Sequence, residues 1–196
     1  MLKSYASLPI LAACLSMFLP MTSLAQAQSG QPQAISPTQF LQLQSSAQSG
    51  SLEATYNLGV AYLMRNLGTE DMAKALYWFK RSADGGNVHA MTNIGTLYIK
   101  GMGVEKDPDA AFSWFKKAAK LGEVRAQDNV AYMYSAGEGV NKDLVKAYIW
   151  YDLASRNGMP QDAQLRDRLM MDVPVADLPD AIKLTRALDP THPDFD

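Results

Sequence analysis

Ser113 and Lys116 bracket a Ser-Trp-Phe-Lys tetrad inside AFSWFKKAAKLG, residues 111–122. A serine three residues before a lysine is the spacing of an acylating nucleophile and its base. That chemistry also needs companion groups, and neither Ser-Asp-Asn nor Lys-Thr-Gly occurs anywhere in the chain. The histidines, His89 and His192, each lack a second histidine at the i+4 spacing of a metal-binding helix. His89 reads as an exposed surface residue and His192 lies in the C-terminal tail. Gly101-Met102-Gly103 and Gly137-Glu138-Gly139 lack the Gly-Lys-Ser/Thr ending of a phosphate loop. No catalytic residue, metal ligand or cofactor is expected.

The duller explanation of the tetrad is a repeat. The three tryptophans, Trp78, Trp114 and Trp150, are spaced by 36 residues. The same shift carries Ala54 to Ala90 and Ala126, Tyr62 to Tyr98 and Tyr134, and Ala75 to Ala111 and Ala147. Asn57, Asn93 and Asn129 follow it, as do Gly86, Gly122 and Gly158. Ser113 then falls where the other units have Tyr77 and Ile149, and Lys116 where they have Lys80 and Asp152. The tetrad is a by-product of the packing pattern around Trp114 and Phe115. Burying Trp114 between helices predicts a loss of roughly 3–5 kcal/mol for Trp114→Ala.

Each unit must supply two helices. Ala90, Ile94, Leu97 and Tyr98 form one apolar stripe at helical period, and Ala111, Trp114, Phe115, Ala118 and Ala119 form another. The glycine pairs interrupt the chain between them, and Asp107-Pro108 restarts it as a cap residue followed by proline. Gly122 and Gly158 should end the second helices in the left-handed conformation. The first unit has Arg65 and Leu67 at its turn, so Gly68 is expected to bend the chain there. The predicted fold is all-α: a right-handed α-solenoid of three 36-residue helix-turn-helix repeats, 51–86, 87–122 and 123–158, between helical caps. The caps are a helix over 36–50 and two more within 159–188, at 160–172 and about 176–188.

Composition bounds the function. The 196 residues carry a net charge of −2 with signs mixed along the chain, and no basic face suggests a nucleic acid. Lys3, the mostly apolar run from Leu8 to Leu24 broken by Pro9 and Pro20, and two small-x-small sites predict a secretory signal peptide over 1–25. Cleavage is placed after Ala25 or Ala27, leaving no stable membrane span. Leu11-Ala12-Ala13-Cys14 resembles a lipobox, so a lipoprotein anchored through Cys14 is the minor alternative; the apolar run continuing past Cys14 argues against it. Residues 26–35 read as a disordered tether and 189–196 as a loose tail.

The pattern A-x-x-x-[LIV]-[GA]-x-x-Y, then G-x-G-V, then A-x-x-W-[FY] resembles the Sel-1-like repeat family, relatives of the tetratricopeptide repeats. The resemblance covers 51–158 directly and 37–188 with the caps. It implies a non-enzymatic adaptor or scaffold that binds other proteins, often in the bacterial periplasm or at the cell surface. Some cysteine-rich members are linked to penicillin binding, but their cysteine pairs are absent here.

By analogy with tetratricopeptide repeats, the first helix of each unit lines a concave face. The groove positions are then Glu53, Tyr56, Val60, Leu63 and Met64; His89, Thr92, Thr96, Ile99 and Lys100; and Arg125, Asp128, Tyr132, Ser135 and Ala136. Trp78, Trp114, Trp150, Tyr62, Tyr98 and Tyr134 are assigned to repeat packing. The recurring asparagines either bond a neighbouring helix or read a ligand backbone, and the former is preferred. The expected protein is a monomer, periplasmic or secreted, that holds a protein or peptide partner of the cell envelope. The alternatives are a penicillin-binding or β-lactam hydrolase-like enzyme, and a structural repeat that stacks end to end.

Overall fold

Six of the described helices start where a side-chain oxygen meets the orphan amides of a first turn. The computed structural model describes residues 35–65, 69–174 and 176–188. The expected signal peptide, the tether up to residue 34, the turn at Gly68 and the tail at 189–196 lie outside the described residues. Ser36 opens α1 (Pro37–Gln48) with a reciprocal capping box to Gln39. Ser51 accepts from the Ala54 amide at 3.2 Å ahead of α2 (Leu52–Arg65). After α3 (Thr69–Asp84), Asn87 caps α4 (Val88–Lys100) and Asp107 caps α5 (Pro108–Lys120). Glu123 caps α6 (Val124–Ala136) and Asp143 caps α7 (Leu144–Arg156). Two shorter helices follow, α8 (Asp162–Leu169) and α9 (Leu178–Ala187). Both are shorter than the 160–172 and 176–188 spans expected from sequence.

Among the described residues every regular element is an α-helix. Helices pair within repeats as α2–α3, α4–α5 and α6–α7, and each pair packs on the next, which is the order of an α-solenoid. α1 stands 36 residues before α3, in the register of a second helix, with Ala47 at the position of Ala83. Its Phe40 meets the Tyr62 ring edge-on at 5.2 Å, as Phe112 of α5 meets Tyr134 at 5.1 Å two repeats on. At the other end α8 and α9 both pack against α7.

The core runs between the paired helices. Phe79, Phe115 and Tyr151 hold one repeat position and all are buried. Opposite them, a Cβ at Gly59 or Gly95 would stand 2.7 Å from the Phe79 or Phe115 ring, so the missing side chain lets the helices close on the aromatic. Trp78 and Trp150 are buried as well, but Trp114 is only half-buried, with the Lys117 ammonium 5.5 Å from its ring centroid. The buried aromatic of α5 is its neighbour Phe115. The cost assigned to Trp114→Ala therefore transfers to Phe115. Tyr62 and Tyr134 are buried; Tyr98 is half-buried, and its hydroxyl accepts a 3.2 Å hydrogen bond from Lys80.

The two glycines of each G-x-G turn do different work. Gly101 and Gly137 end α4 and α6 at φ of 65° and 71°, the left-handed region. Gly103 and Gly139 lie against the preceding repeat: a Cβ would fall 2.5 Å from backbone of Met72 and Ala73, or 2.2 Å from the Pro108 carbonyl oxygen. Each turn thus rests on the start of the previous second helix. The first repeat has Arg65 and Leu67 in place of the two glycines, and its second helix begins at Thr69, ahead of Met72, the position at which Pro108 opens α5.

Candidate functional site

Ser113 is exposed on α5, and its hydroxyl donates to the Asp109 carbonyl of its own helix at 3.0 Å. Among the described residues no group of three or more His, Cys, Asp or Glu gathers as a metal site would require, and no helix is long and apolar enough to cross a membrane.

The first helices of the repeats, α2, α4 and α6, carry the expected groove positions. Met64 and Tyr132 are the open apolar ones, 50% and 53% exposed. Tyr56, Val60 and Leu63 are half-buried; the Tyr56 ring lies 5.9 Å from Phe79 and 6.3 Å from His89. Thr96 and Ile99 are half-buried, and Glu53, Lys100, Arg125 and Ala136 are exposed. Thr92 is not available as a groove contact. It is buried, and its hydroxyl meets the Val88 carbonyl at 3.1 Å and the Glu123 carboxylate at 3.0 Å. Asn129 donates to the Arg125 carbonyl of its own helix at 2.7 Å.

The centre of that contact is a residue that the sequence analysis does not single out. Glu123 is buried and accepts from the Ala126 amide at 2.6 Å, from Thr92, and from Arg125 Nε at 3.3 Å, with His89 Nδ1 also at 3.3 Å. Three expected groove residues, His89, Thr92 and Arg125, thus converge on one carboxylate that caps α6. The register holds the signal: Glu123 stands where Ser51 and Asn87 stand, and all three cap first helices.

A second cluster lies where the last repeat meets the cap. Tyr151 of α7 feels the charges of Asp128 on α6 and Asp162 on α8, with Tyr132 and Ser135 of α6 acting on the same phenol. The Tyr151 phenol is pushed up to about 12, by burial first and then by the charges of Asp128 and Asp162, while the Ser135 hydroxyl, which donates to the Tyr132 carbonyl at 2.7 Å, acts to lower it. Burial also raises the Asp128 acid. Asp162 is raised to about 6, by burial first and by the Asp128 charge second. Asp162 is 1% exposed, and its Oδ2 meets no donor among the described residues. The 36-residue shift places it where Ala54, Ala90 and Ala126 are buried, an anomaly that the register makes visible once the repeat is extended into the cap.

Also on α7, Asp152 receives Arg156 at 3.0 Å and Arg166 at 2.8 Å beside a cavity of about 370 Å³ that Tyr148 and Thr185 also line. Asp152 occupies the Lys80 and Lys116 position, so a change of charge sign in the last repeat anchors the cap.

These repeats match a known sequence model. The Sel1 repeat model matches three times, at residues 52–87, 88–123 and 124–159. The chain belongs to the Sel1 repeat family. A search of curated proteins found no match. Among solved structures, the chain is similar to a protective antigen of uropathogenic Escherichia coli strains displaying an SLR fold: TM-score 0.70, 33% identity, 76% of this chain covered. It spans only 32% of that antigen's length. A Sel1 repeat protein from Oxalobacter formigenes matches with TM-score 0.58 and 27% identity, over 64% of this chain and 51% of that one. The fold also matches cysteine rich protein B of Helicobacter pylori, with TM-score 0.53 and 18% identity, over 64% of this chain and 96% of that one. Sel1 repeat proteins are typically protein-interaction scaffolds, and the family is generally non-enzymatic.

Proposed function

We propose that this Sel1 repeat protein is an interaction module of the bacterial cell envelope that holds a protein or peptide on the face formed by α2, α4 and α6. One observation carries the reading. Positions that pack recur in every repeat, as at Ala54, Ala90 and Ala126, whereas half-buried and exposed positions of the first helices change chemistry. Val60, Thr96 and Tyr132 share a register, as do Leu63, Ile99 and Ser135. A face whose scaffold is constant and whose surface varies suits recognition of one extended or helical segment. By analogy with tetratricopeptide repeats, this is the concave side. The envelope location rests on the predicted signal peptide, and N-terminal sequencing of the exported protein should begin at Gln26 or Gln28.

The test is affinity capture in the native bacterium with Tyr56→Ala, Leu63→Ala and Tyr132→Ala combined. Its helical content should match wild type by circular dichroism. A partner captured by wild type, reconstituted with purified components and lost in the folded variant, supports the reading. A partner held equally by both would move the site off this face.

A further inference from the structure

Asp162 is a buried acid at a position where the three repeats carry alanine. Its Oδ2 meets no donor among the described residues. A carboxylate taken out of water without a partner is costly, and a second acid beside it adds to the cost. Three arginines of the last repeat and cap pair with other acids. Arg125 is on Glu123, while Arg166 binds Asp152 and Asp167 and Arg156 binds Asp152. The site opens on the face assigned to the partner, because Asp128 is half-buried and Tyr132 is 53% exposed beside it.

We propose that Asp128 and Asp162, walled by Tyr132 and Tyr151, seat a lysine or arginine side chain of the bound peptide. This rests on the docking face proposed above. Asp128 presents the accessible oxygen. Asp162 lies beneath it and contributes a field that solvent screens weakly. The Tyr132 ring offers a face to the incoming cation. Two carboxylates suit an ammonium or guanidinium better than a bare divalent ion, which takes six or more oxygens in the case of calcium.

The test uses the full chain and three short capped peptides with one leucine spacing, carrying arginine, glutamine or glutamate between the leucines. Fluorescence anisotropy near neutral pH should show the arginine peptide binding roughly tenfold more tightly than the glutamine peptide. That preference should shrink in Asp128→Asn and vanish in Asp128→Asn/Asp162→Asn, while the glutamine peptide binds all forms alike. Asp128→Asn lies at the half-exposed position and keeps the test informative should the buried substitution unfold the chain. Equal affinity for the three peptides overturns the cation seat. If the glutamine peptide is still lost in the Tyr56/Leu63/Tyr132 variant, the docking face survives that result. An arginine preference that persists in the double variant also overturns the seat. Binding by none of the peptides counts against both readings. Calcium chloride displacing the arginine peptide far better than sodium chloride of equal ionic strength would assign the acids to a metal ion instead.

Discussion

Asp162 and Phe115 show how much one repeat position can carry. Burial and the Asp128 charge raise Asp162 from an ordinary 3.8 to about 6, so between those values the folded chain keeps a proton that the unfolded chain has released. Stability from this group is therefore lost as pH rises through that window, and the raised Asp128 acid adds to the same slope. Asp162→Asn is expected to be more stable than wild type by up to about 3 kcal/mol near pH 8 and unchanged near pH 4. Urea unfolding at both values checks this, and an equal gain at the two would contradict it. Phe115→Ala is expected to cost about 3–5 kcal/mol, and the half-buried Trp114→Ala roughly half of that. Thermal melts of the two variants rank them. Period alone points to Trp114 as the buried ring, since tryptophan is the rarer marker. Which of two adjacent aromatics faces the partner helix depends on the helix's rotation, and spacing leaves both on the apolar side.

At the scale of the element, helix starts are the most legible feature. Asp107-Pro108 carries its own cap and a fixed φ, so a local signal suffices. The role of Glu123 is not legible in that way. Its cap on α6 is local, but its bond to Thr92 joins residues 31 apart in sequence. Backbone freedom, the property that sequence assigns to the whole G-x-G turn, describes its first glycine better than its second. At Gly139 the Pro108 carbonyl also excludes a side chain, whereas a Cβ at Gly86, where φ is 88°, would meet nothing within 4 Å. Gly86→Ala should cost about 1–2 kcal/mol from the left-handed backbone alone. Gly139→Ala should cost clearly more, because the junction between the second and third repeats must shift as well. Paired denaturant titrations measure the difference, and equal losses would mean that the turn does not rest on α5.

Across the whole molecule, the repeat register gives access to the fold because each unit contacts chiefly its neighbours and therefore repeats its packing. The candidate site is less legible for the converse reason. Function on a solenoid lies in the positions that escape the repeat, and one chain offers three samples of each. Thr92 shows the limit: it shares a register with Tyr56 and Asp128 yet is withdrawn into a contact with Glu123. The partner is proposed to lie on α2, α4 and α6. Tyr132 on α6 and Tyr77 on α3 are matched for exposure, at 53% and 56%, and sit on a first and a second helix. The most direct measurement replaces each in turn with a photo-crosslinking residue in the native bacterium. A discrete crosslinked partner is expected from position 132 and none from position 77. The same partner from both positions, or from 77 alone, would contradict that placement.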